Sequence, residues 1–268
     1  MKKLAGIVAV FAAFTMMFGI ASCNTNADEP KDQKKSYVGT KTPKEAKAVG
    51  DIVFNDGSAT PYTEDMILTD DQKAAAIAII FYAGTDTDPL GAKTLGVGLH
   101  NSQGDSTKNM MWAIESAEGY NIEIENIISH SSKNGINATL DSTFTGDTDG
   151  SDNWSELCKV VSDETTSGNY PAWEWINAYP KTDSLSGDWY MPTVAEFSMM
   201  CRVKETINLA LEKAGGTIIA ETSYWTSSQF YYNDHIPSYV WYVGIDNLSS
   251  AYWIKNSNFS VCCIRAFN

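Results

Sequence analysis

The chain alternates between short runs with the period of β-strands and a few stretches with the period of helices. The apolar runs Ile52–Phe54 and Ala76–Ala83 predict buried strands. Residues 93–102, "KTLGVGLHNS", predict a further strand, and its two interior glycines allow another segment to approach the backbone closely.

Four stretches between the strands predict helices. Residues 154–161 place their apolar residues on one helical face, and the proline-bounded stretch "YPAWEWINAYP" predicts a second short helix. In the third, Thr193 is the expected N-cap, Glu196 completes a capping box, and two glycines at 215–216 end the helix. "NMMWAIES", residues 109–116, predicts one more helix within an otherwise irregular region.

The C-terminal tail predicts four strands separated by turns: "SYWTSSQ", "YVWYVGI", "AYWIK" and "SVCCIRAF". Trp225, Trp241 and Trp253 lie in these strands, where a tryptophan is more often a core residue than a cofactor contact. Strand alternation also places Trp241 and Val243 on one face, where both can fill the core. The separation of strands from a few helices predicts an α+β fold class with mixed short antiparallel sheets.

The first 23 residues have the layout of a bacterial secretory signal. Two lysines precede a long apolar run that ends in "IASC". This ending resembles a lipobox, so we expect residues 1–23 to be a lipoprotein signal peptide with lipidation at Cys23; a membrane-spanning anchor is the alternative. Residues 24–50 are polar and rich in lysine, which predicts a flexible tether, and residues 51–268 are expected to form the folded domain.

Charge divides the chain at the same boundary. Residues 1–50 contain 8 lysines and 4 acidic residues, whereas residues 51–268 contain 11 basic and 29 acidic residues, for a net charge of −14 over the whole chain. A domain this acidic repels phosphate backbones, so nucleic acid is not an expected partner. The expected location is the cell envelope, at the outer-membrane surface, with the lipid on Cys23 in contact with the membrane.

Four cysteines follow Cys23, namely Cys158, Cys201, Cys262 and Cys263. A secreted protein can pair such residues as disulfides, and the sequence leaves their connectivity open. Their spacing is not typical of a zinc site. Neighbouring Cys262 and Cys263 on one strand would point to opposite faces, so one could pair inward while the other stays free.

Residues 146–153, "GDTDGSDN", gather three carboxylates: Asp147, Asp149 and Asp152. Oxygen ligands at this density can hold Ca²⁺, although the spacing is not that of an EF-hand. The alternative, which we favour, is a turn in which Asp152 or Asn153 caps the next helix. No cofactor is expected. The chain has no nucleophile elbow, HExxH, Walker or dinucleotide motif, so we do not expect an enzyme.

The loops between the tail strands combine aromatic residues with small polar ones. This composition is typical of binding loops, in which aromatic anchors act beside adaptable hydrogen-bonding groups. Ordinary surface turns are the alternative, but turn chemistry does not explain the paired tyrosines at 231–232. We expect three loops to form the walls of one ligand-binding surface, with these residues: Tyr231, Tyr232, Asn233, Asp234, His235, Tyr239, Asn247, Ser249, Ser250, Tyr252, Asn256, Asn258 and Phe259.

Several of these segments resemble a known family. "GDWYMPTVAEF" is similar to the W-x-L-P-(S/T)-x-x-E-(L/F) helix start of bacterial C-type-lectin-like domains, a family that includes formylglycine-generating enzymes and the C-terminal domain of a collagen-like adhesin. "YWTSSQ", "VWYV" and "VCCIRAF" are similar to the closing strands of that family. The resemblance covers residues 145–268 well and residues 50–145 loosely, and it implies a C-type-lectin-like fold.

The resemblance implies ligand binding rather than catalysis. Formylglycine-generating enzymes use two cysteines separated by a few residues, whereas Cys262 and Cys263 are adjacent, and Tyr190 stands where that family usually has Arg. An enzyme of that type and a structural envelope lipoprotein remain the alternatives. The expected protein is a monomeric adhesin that binds a host or neighbouring-cell protein or glycan.

Some proteins of this fold are variable proteins diversified by retroelements, which would make residues 224–268 a display region. Every residue from 230 to 240 belongs to the set of residue types that such diversification produces. Ordinary loop composition gives the same types, so both explanations stay open.

Overall fold

The computed structural model describes residues 36–105, 109–133, 138–139, 142–179, 188–231 and 236–267. The folded unit begins at Tyr37. Lys41 forms a β-bridge with Ala59, and its ammonium lies 2.6 Å from the buried carboxylate of Asp51. The predicted tether is therefore too long at its C-terminal end, because these contacts hold residues 37–50 against the first strands. Cys23 and the rest of the predicted signal peptide lie outside the described residues.

The described residues form two β-sheets and five α-helices. The strands are β1 (Ile52–Phe54), β2 (Ala59–Thr60), β3 (Ala76–Ala83), β4 (Thr94–Asn101), β5 (Ile128–Ser131), β6 (Ala138–Thr139), β7 (Phe144–Gly146), β8 (Ser223–Phe230), β9 (Tyr239–Gly244), β10 (Ser249–Ile254) and β11 (Cys262–Ala266). The helices are α1 (Asp70–Ala75), α2 (Asn153–Cys158), α3 (Pro171–Asn177), α4 (Val194–Arg202) and α5 (Lys204–Ala214). The α+β fold class is confirmed. No helix of the described segments is both long and apolar enough to cross a bilayer.

The first sheet has the strand order β11-β4-β3-β1-β2 and is antiparallel. The second has the order β6-β10-β9-β8-β5-β7, in which β5 runs parallel to β8. Two hydrophobic cores result. Ile79 and Phe81 of β3 face one core, which includes residues of α4 and α5, whereas Ala78 and Ile80 face a second core rich in tryptophan. Successive residues of a strand point to opposite faces, so β3 contributes to both cores.

Several sequence predictions are confirmed. The strands Ile52–Phe54 and Ala76–Ala83 have the predicted bounds. Thr193 and Glu196 form the predicted capping box of α4, and α5 ends at Gly215 with a φ of 76°. The predicted single helix is nevertheless two, because Val203 leaves the helical conformation with a φ of −121°.

Two predictions about apolar segments are wrong. The segment "NMMWAIES" is not a helix: Met110 forms a β-bridge with Phe259, and the amide of Trp112 donates to the carbonyl of Lys255 at 2.9 Å. Pairing with the C-terminal tail therefore outweighs helical spacing. Trp225 and Trp241 are core residues, but half of Trp253 is exposed. β6 pairs only with Ser249 and Ser250, so no described strand lies beside Trp253 on that edge.

The cysteines show how strand alternation divides the cores. Cys262 belongs to the first core and Cys263 to the second, as their positions on one strand predict. Cys158, Cys201, Cys262 and Cys263 are all free thiols. Burial raises the pKa of Cys201 to about 12 and that of Cys262 further, so both are protonated and unreactive at neutral pH.

We therefore expect the thiols to differ in reactivity. In the native protein Cys158, which is half-buried, should alkylate first, whereas the other three should alkylate only after denaturation. Mass spectrometry of alkylated peptides, with and without prior reduction, measures this. Alkylation that requires a reductant even in denaturant would contradict the free-thiol assignment.

Candidate ligand-binding cleft

Strand β8 contains four consecutive polar residues, Thr226, Ser227, Ser228 and Gln229, and all four are fully buried. Buried polar groups cost stability unless they are hydrogen-bonded. Each side chain finds its partners on a different segment: Thr226, for example, donates to the carbonyl of Trp241 at 2.8 Å. β8 thus determines where the surrounding segments lie.

Gln229 holds two loops at the end of β8. Its Oε1 accepts a hydrogen bond from the amide of Ile124 at 2.7 Å. Its Nε2 donates to the carbonyls of Ile122 at 2.9 Å and Pro237 at 2.6 Å. One side chain therefore joins the segment before β5 to the loop that precedes β9.

The two serines position the turn at residues 146–153. The hydroxyls of Ser228 and Ser129 are hydrogen-bonded at 2.8 Å, and Ser129 Oγ donates to the carbonyl of Asp147 at 2.6 Å. Asn153 Nδ2 bridges Ser227 Oγ at 2.8 Å and Asp147 Oδ2 at 2.7 Å. Asp147 is consequently held through both its main-chain carbonyl and its side-chain carboxylate.

Glu196 links the same turn to the start of α4. Its buried carboxylate accepts from the amide of Thr193 at 2.8 Å, the hydroxyl of Tyr190 at 2.9 Å and the amide of Gly150 at 3.2 Å. Burial raises the pKa of Glu196 to about 7, against the opposing effect of these hydrogen bonds. The capping residue recognised in the sequence thus also fixes a loop 46 positions away.

These contacts enclose a cleft of about 630 Å³ beside the end of β8. Its lining residues are Glu123, Glu125, Asn126, Ile128, His130, Gly146, Asp147 and Tyr231. Gly146 has a φ of 84°, and a Cβ there would lie 2.4 Å from the carbonyl oxygen of Ile128, so this position requires glycine. The rings of His130 and Tyr231 pack edge to face, with centroids 5.7 Å apart.

The cleft is acidic. Glu123 and Glu125 are exposed at its rim, and Asp147 is half-buried. Burial raises the pKa of Asp147 to about 6, and the nearby carboxylates of Asp152 and Asp149 act in the same direction. A positively charged group in the cleft would favour the ionised form of Asp147 and offset the repulsion.

Three predicted binding residues come together near this cleft. Tyr231 lines it, and the preceding Phe230 stacks on Tyr252 with centroids 3.7 Å apart and an interplanar angle of 16°. Tyr252 also contacts Tyr239 edge to face at 5.5 Å. Phe230, Tyr231, Tyr239 and Tyr252, which we call the aromatic group, are all half-buried and can offer contact area. Tyr232, Asn233, Asp234 and His235 lie outside the described residues.

The prediction of one three-walled surface is wrong. Ser249 pairs with Gly244 and Ile254 pairs with Tyr239, so the turn with Asn247 and Ser249 lies at the opposite end of β9 and β10 from Tyr239. Six-residue strands separate these ends by about 17 Å.

Two further predicted binding residues, Ser250 and Phe259, do not present their side chains beside the aromatic group. Ser250 is fully buried. Phe259 packs on Trp225 and Tyr242, on the face opposite Trp241 and Tyr252. Asn258 is exposed and Asn256 half-buried on the same loop as Phe259.

The three aspartates lie in a turn, where Asp147 and Asp149 accept hydrogen bonds from main-chain amides. Asp149 caps a short 3₁₀ helix (Gly150–Asp152) by accepting from the amide of Ser151, and its other oxygen pairs with Lys93 at 2.7 Å. Asp152 is exposed and its side chain makes no capping bond. Across the described ranges, no three His, Cys, Asp or Glu side chains are grouped as a metal site requires.

Sequence reasoning missed most of the cleft. Glu123, Glu125 and Asn126 lie in a segment without a motif, and only the fold brings them to Tyr231. His130 has the appearance of a strand-end residue in the sequence. The one available signal was "TSSQ", because four polar residues within a strand otherwise flanked by aromatic residues require buried partners.

Because Lys93 and Asn153 already contact these carboxylates, calcium should have no effect on folding. We expect the melting temperature of the full chain to be the same in excess Ca²⁺ and in EDTA. A calcium-dependent rise in differential scanning calorimetry would contradict the turn assignment.

The raised pKa of Glu196 predicts that the stability of the folded protein depends on pH. Because this pKa is raised in the folded protein, the associated stability is complete below about pH 4.5 and is lost as the pH rises through about 7. Relative to Glu196→Gln, the parent chain should lose about 3 kcal/mol of unfolding free energy between pH 4.5 and 7.5. Urea denaturation at both values measures this, with Glu212→Gln on the exposed side of α5 as the matched control. The prediction would be refuted if the unfolding free energies of the parent chain and Glu196→Gln differed by the same amount at both pH values.

The resemblance of this chain to C-type-lectin-like domains rests on its sequence motifs. Family models, curated proteins and solved structures gave no match to this chain.

Proposed function

We propose that this protein is a non-enzymatic ligand-binding protein of the cell envelope. The observation that carries the proposal is the acidic cleft beside Tyr231, which lies next to the aromatic group. Concave sites with a few convergent polar groups and exposed aromatic residues are typical of binding sites. Among the described lining residues there is no cysteine or serine that could act as a nucleophile, which favours binding over catalysis.

The residues that line the cleft are held in place by β8. Ile124 donates its amide to Gln229, Asp147 is linked to Ser227 through Asn153, and Tyr231 directly follows the last residue of β8. Loops on a rigid base can vary in sequence while the base keeps them in place. This arrangement suits a variable display region, as expected of a retroelement-diversified protein.

The chemistry of the cleft favours a protein ligand over a neutral glycan. Glu123, Glu125 and Asp147 provide three carboxyl groups, and the rings of His130 and Tyr231 form one side. A lysine or arginine side chain would pair with these carboxyl groups and pack against the tyrosine ring. The domain as a whole is acidic, which would also attract a basic partner.

The remaining elements of the proposal come from the sequence. The domain would have a C-type-lectin-like fold, and a lipid on Cys23 would hold it at the outer-membrane surface as an adhesin. The ligand would belong to a host or neighbouring cell. The tether predicted from the sequence would link Cys23 to the folded unit, which begins at Tyr37.

The test is a screen of the full chain against a random-peptide display library and a glycan array. We expect enrichment of peptides with lysine or arginine. Their affinity should fall at least tenfold, or about 1.4 kcal/mol, in Glu123→Gln/Glu125→Gln. The matched control is Glu205→Gln/Glu212→Gln, because these glutamates are equally exposed but lie on α5.

A second pair of variants tests the aromatic side of the cleft. His130→Ala should weaken the selected peptides, whereas His100→Ala, at an exposed histidine that does not line the cleft, should not. The proposal fails if neither screen yields a ligand, or if the selected ligands bind the cleft variants and the controls equally.

A further inference from the structure

Lys255 is fully buried, with no exposed surface. It follows β10 and begins the loop that contains Asn256, Asn258 and Phe259. Its Nζ donates to the carbonyl of Gly119 at 2.7 Å and lies 3.4 Å from the carbonyl of Ile122. The same nitrogen lies 4.9 Å from the centre of the Trp112 ring. A lysine is almost never fully buried unless it is paired with an opposite charge.

No opposite charge among the described residues pairs with Lys255. The titratable groups on the elements around it are Glu115, Glu118, Tyr120 and Glu123 on the segment it contacts, Tyr170 and Asp163 beside Gly119, and Tyr239 on β9. The hydrogen bonds of the Lys255 ammonium are to main-chain carbonyls alone.

Lys255 also joins three segments through its main chain. Its amide donates to the carbonyl of Ser238 at 2.9 Å, and its carbonyl accepts from the amides of Trp112 and Ala113 at 2.9 and 3.2 Å. The carbonyl of Ile122, near its Nζ, is also bound by Gln229. The base of the tail loops and the segment leading to Glu123 therefore meet at this one residue.

We propose that Lys255 is a pH-sensitive switch that holds these segments together when its amine is neutral and loosens them when it is protonated. A neutral amine has two N–H groups, which the carbonyls of Gly119 and Ile122 can accept. Protonation adds a third N–H and a charge that has no carboxylate partner. An unpaired buried charge is costly, and the cost is relieved when the ammonium reaches water.

The direction of the pH dependence follows from the burial of Lys255. Burial lowers the pKa of Lys255 to about 7, and no neighbouring charge opposes it. The loosened conformation, in which the ammonium is hydrated, has the ordinary lysine pKa and therefore binds protons more strongly than the closed one. Acid thus favours the loosened conformation, and the closed one gains stability as the pH rises from about 7 towards the ordinary value of 10.5. The segment that loosens leads directly to the cleft, although the switch does not depend on the cleft having a ligand.

Hydrogen exchange on the full chain tests the switch. After correction for intrinsic rates, the amides of Trp112 and Ala113 should exchange about 30-fold faster at pH 6 than at pH 8.5, as pKa values of about 7 in the closed and 10.5 in the loosened conformation require. Lys255→Met should abolish this pH dependence. The control Lys44→Met, at an exposed lysine, should retain it. Equal corrected rates at the two pH values in the parent chain would overturn the proposal, as would a pH dependence that persists in Lys255→Met.

A second measurement uses the parent chain, so its result does not depend on whether a variant folds. The carbon NMR shift of Lys255 Cε in the parent chain reports protonation of its amine directly. A midpoint near pH 7 supports the switch, and a midpoint above pH 10 refutes it.

Discussion

The architecture around the cleft depends on the burial of polar side chains in the middle of a sheet. Ser227, Ser228 and Gln229 have no contact with water, and Glu196 beside them has none either. Such groups are tolerated only when their hydrogen bonds are complete, since each orphaned group costs about 1–3 kcal/mol. Their partners are the segments that form the cleft, so the requirement for hydrogen bonding in the core determines the geometry at the surface.

Under the proposed function, this dependence would let the residues at the rim vary while the core keeps the loops in place. The groups that hold the loops are in the core, at β8 and at the start of α4, whereas the groups available to a ligand are on the rim. Changes at Glu123 or Tyr231 leave the hydrogen bonds of Gln229 intact, because Gln229 contacts main-chain atoms of its loops. A binding protein with exchangeable rim residues needs this separation of support from contact.

Local signals predicted much of the fold. The capping box of Thr193 and Glu196, the strands at 52–54 and 76–83, and the opposite faces of Cys262 and Cys263 depend on neighbouring residues alone. The site depends on pairing between distant segments. Residues 109–116 pair with the tail instead of forming a helix, and strand register places Asn247 at the far end from Tyr239. Loop composition indicated binding, but it could not show which loops are adjacent.

A double-mutant cycle on Asn153 and Glu196 tests the central claim most directly. These residues hold the turn at residues 146–153 from two sides, through Asp147 and through Gly150. If the buried network acts as one unit, Asn153→Ala and Glu196→Gln should show a coupling energy above about 0.5 kcal/mol in urea denaturation at constant pH. Additive effects of the two substitutions would show that the turn is held by independent contacts, and would contradict the account.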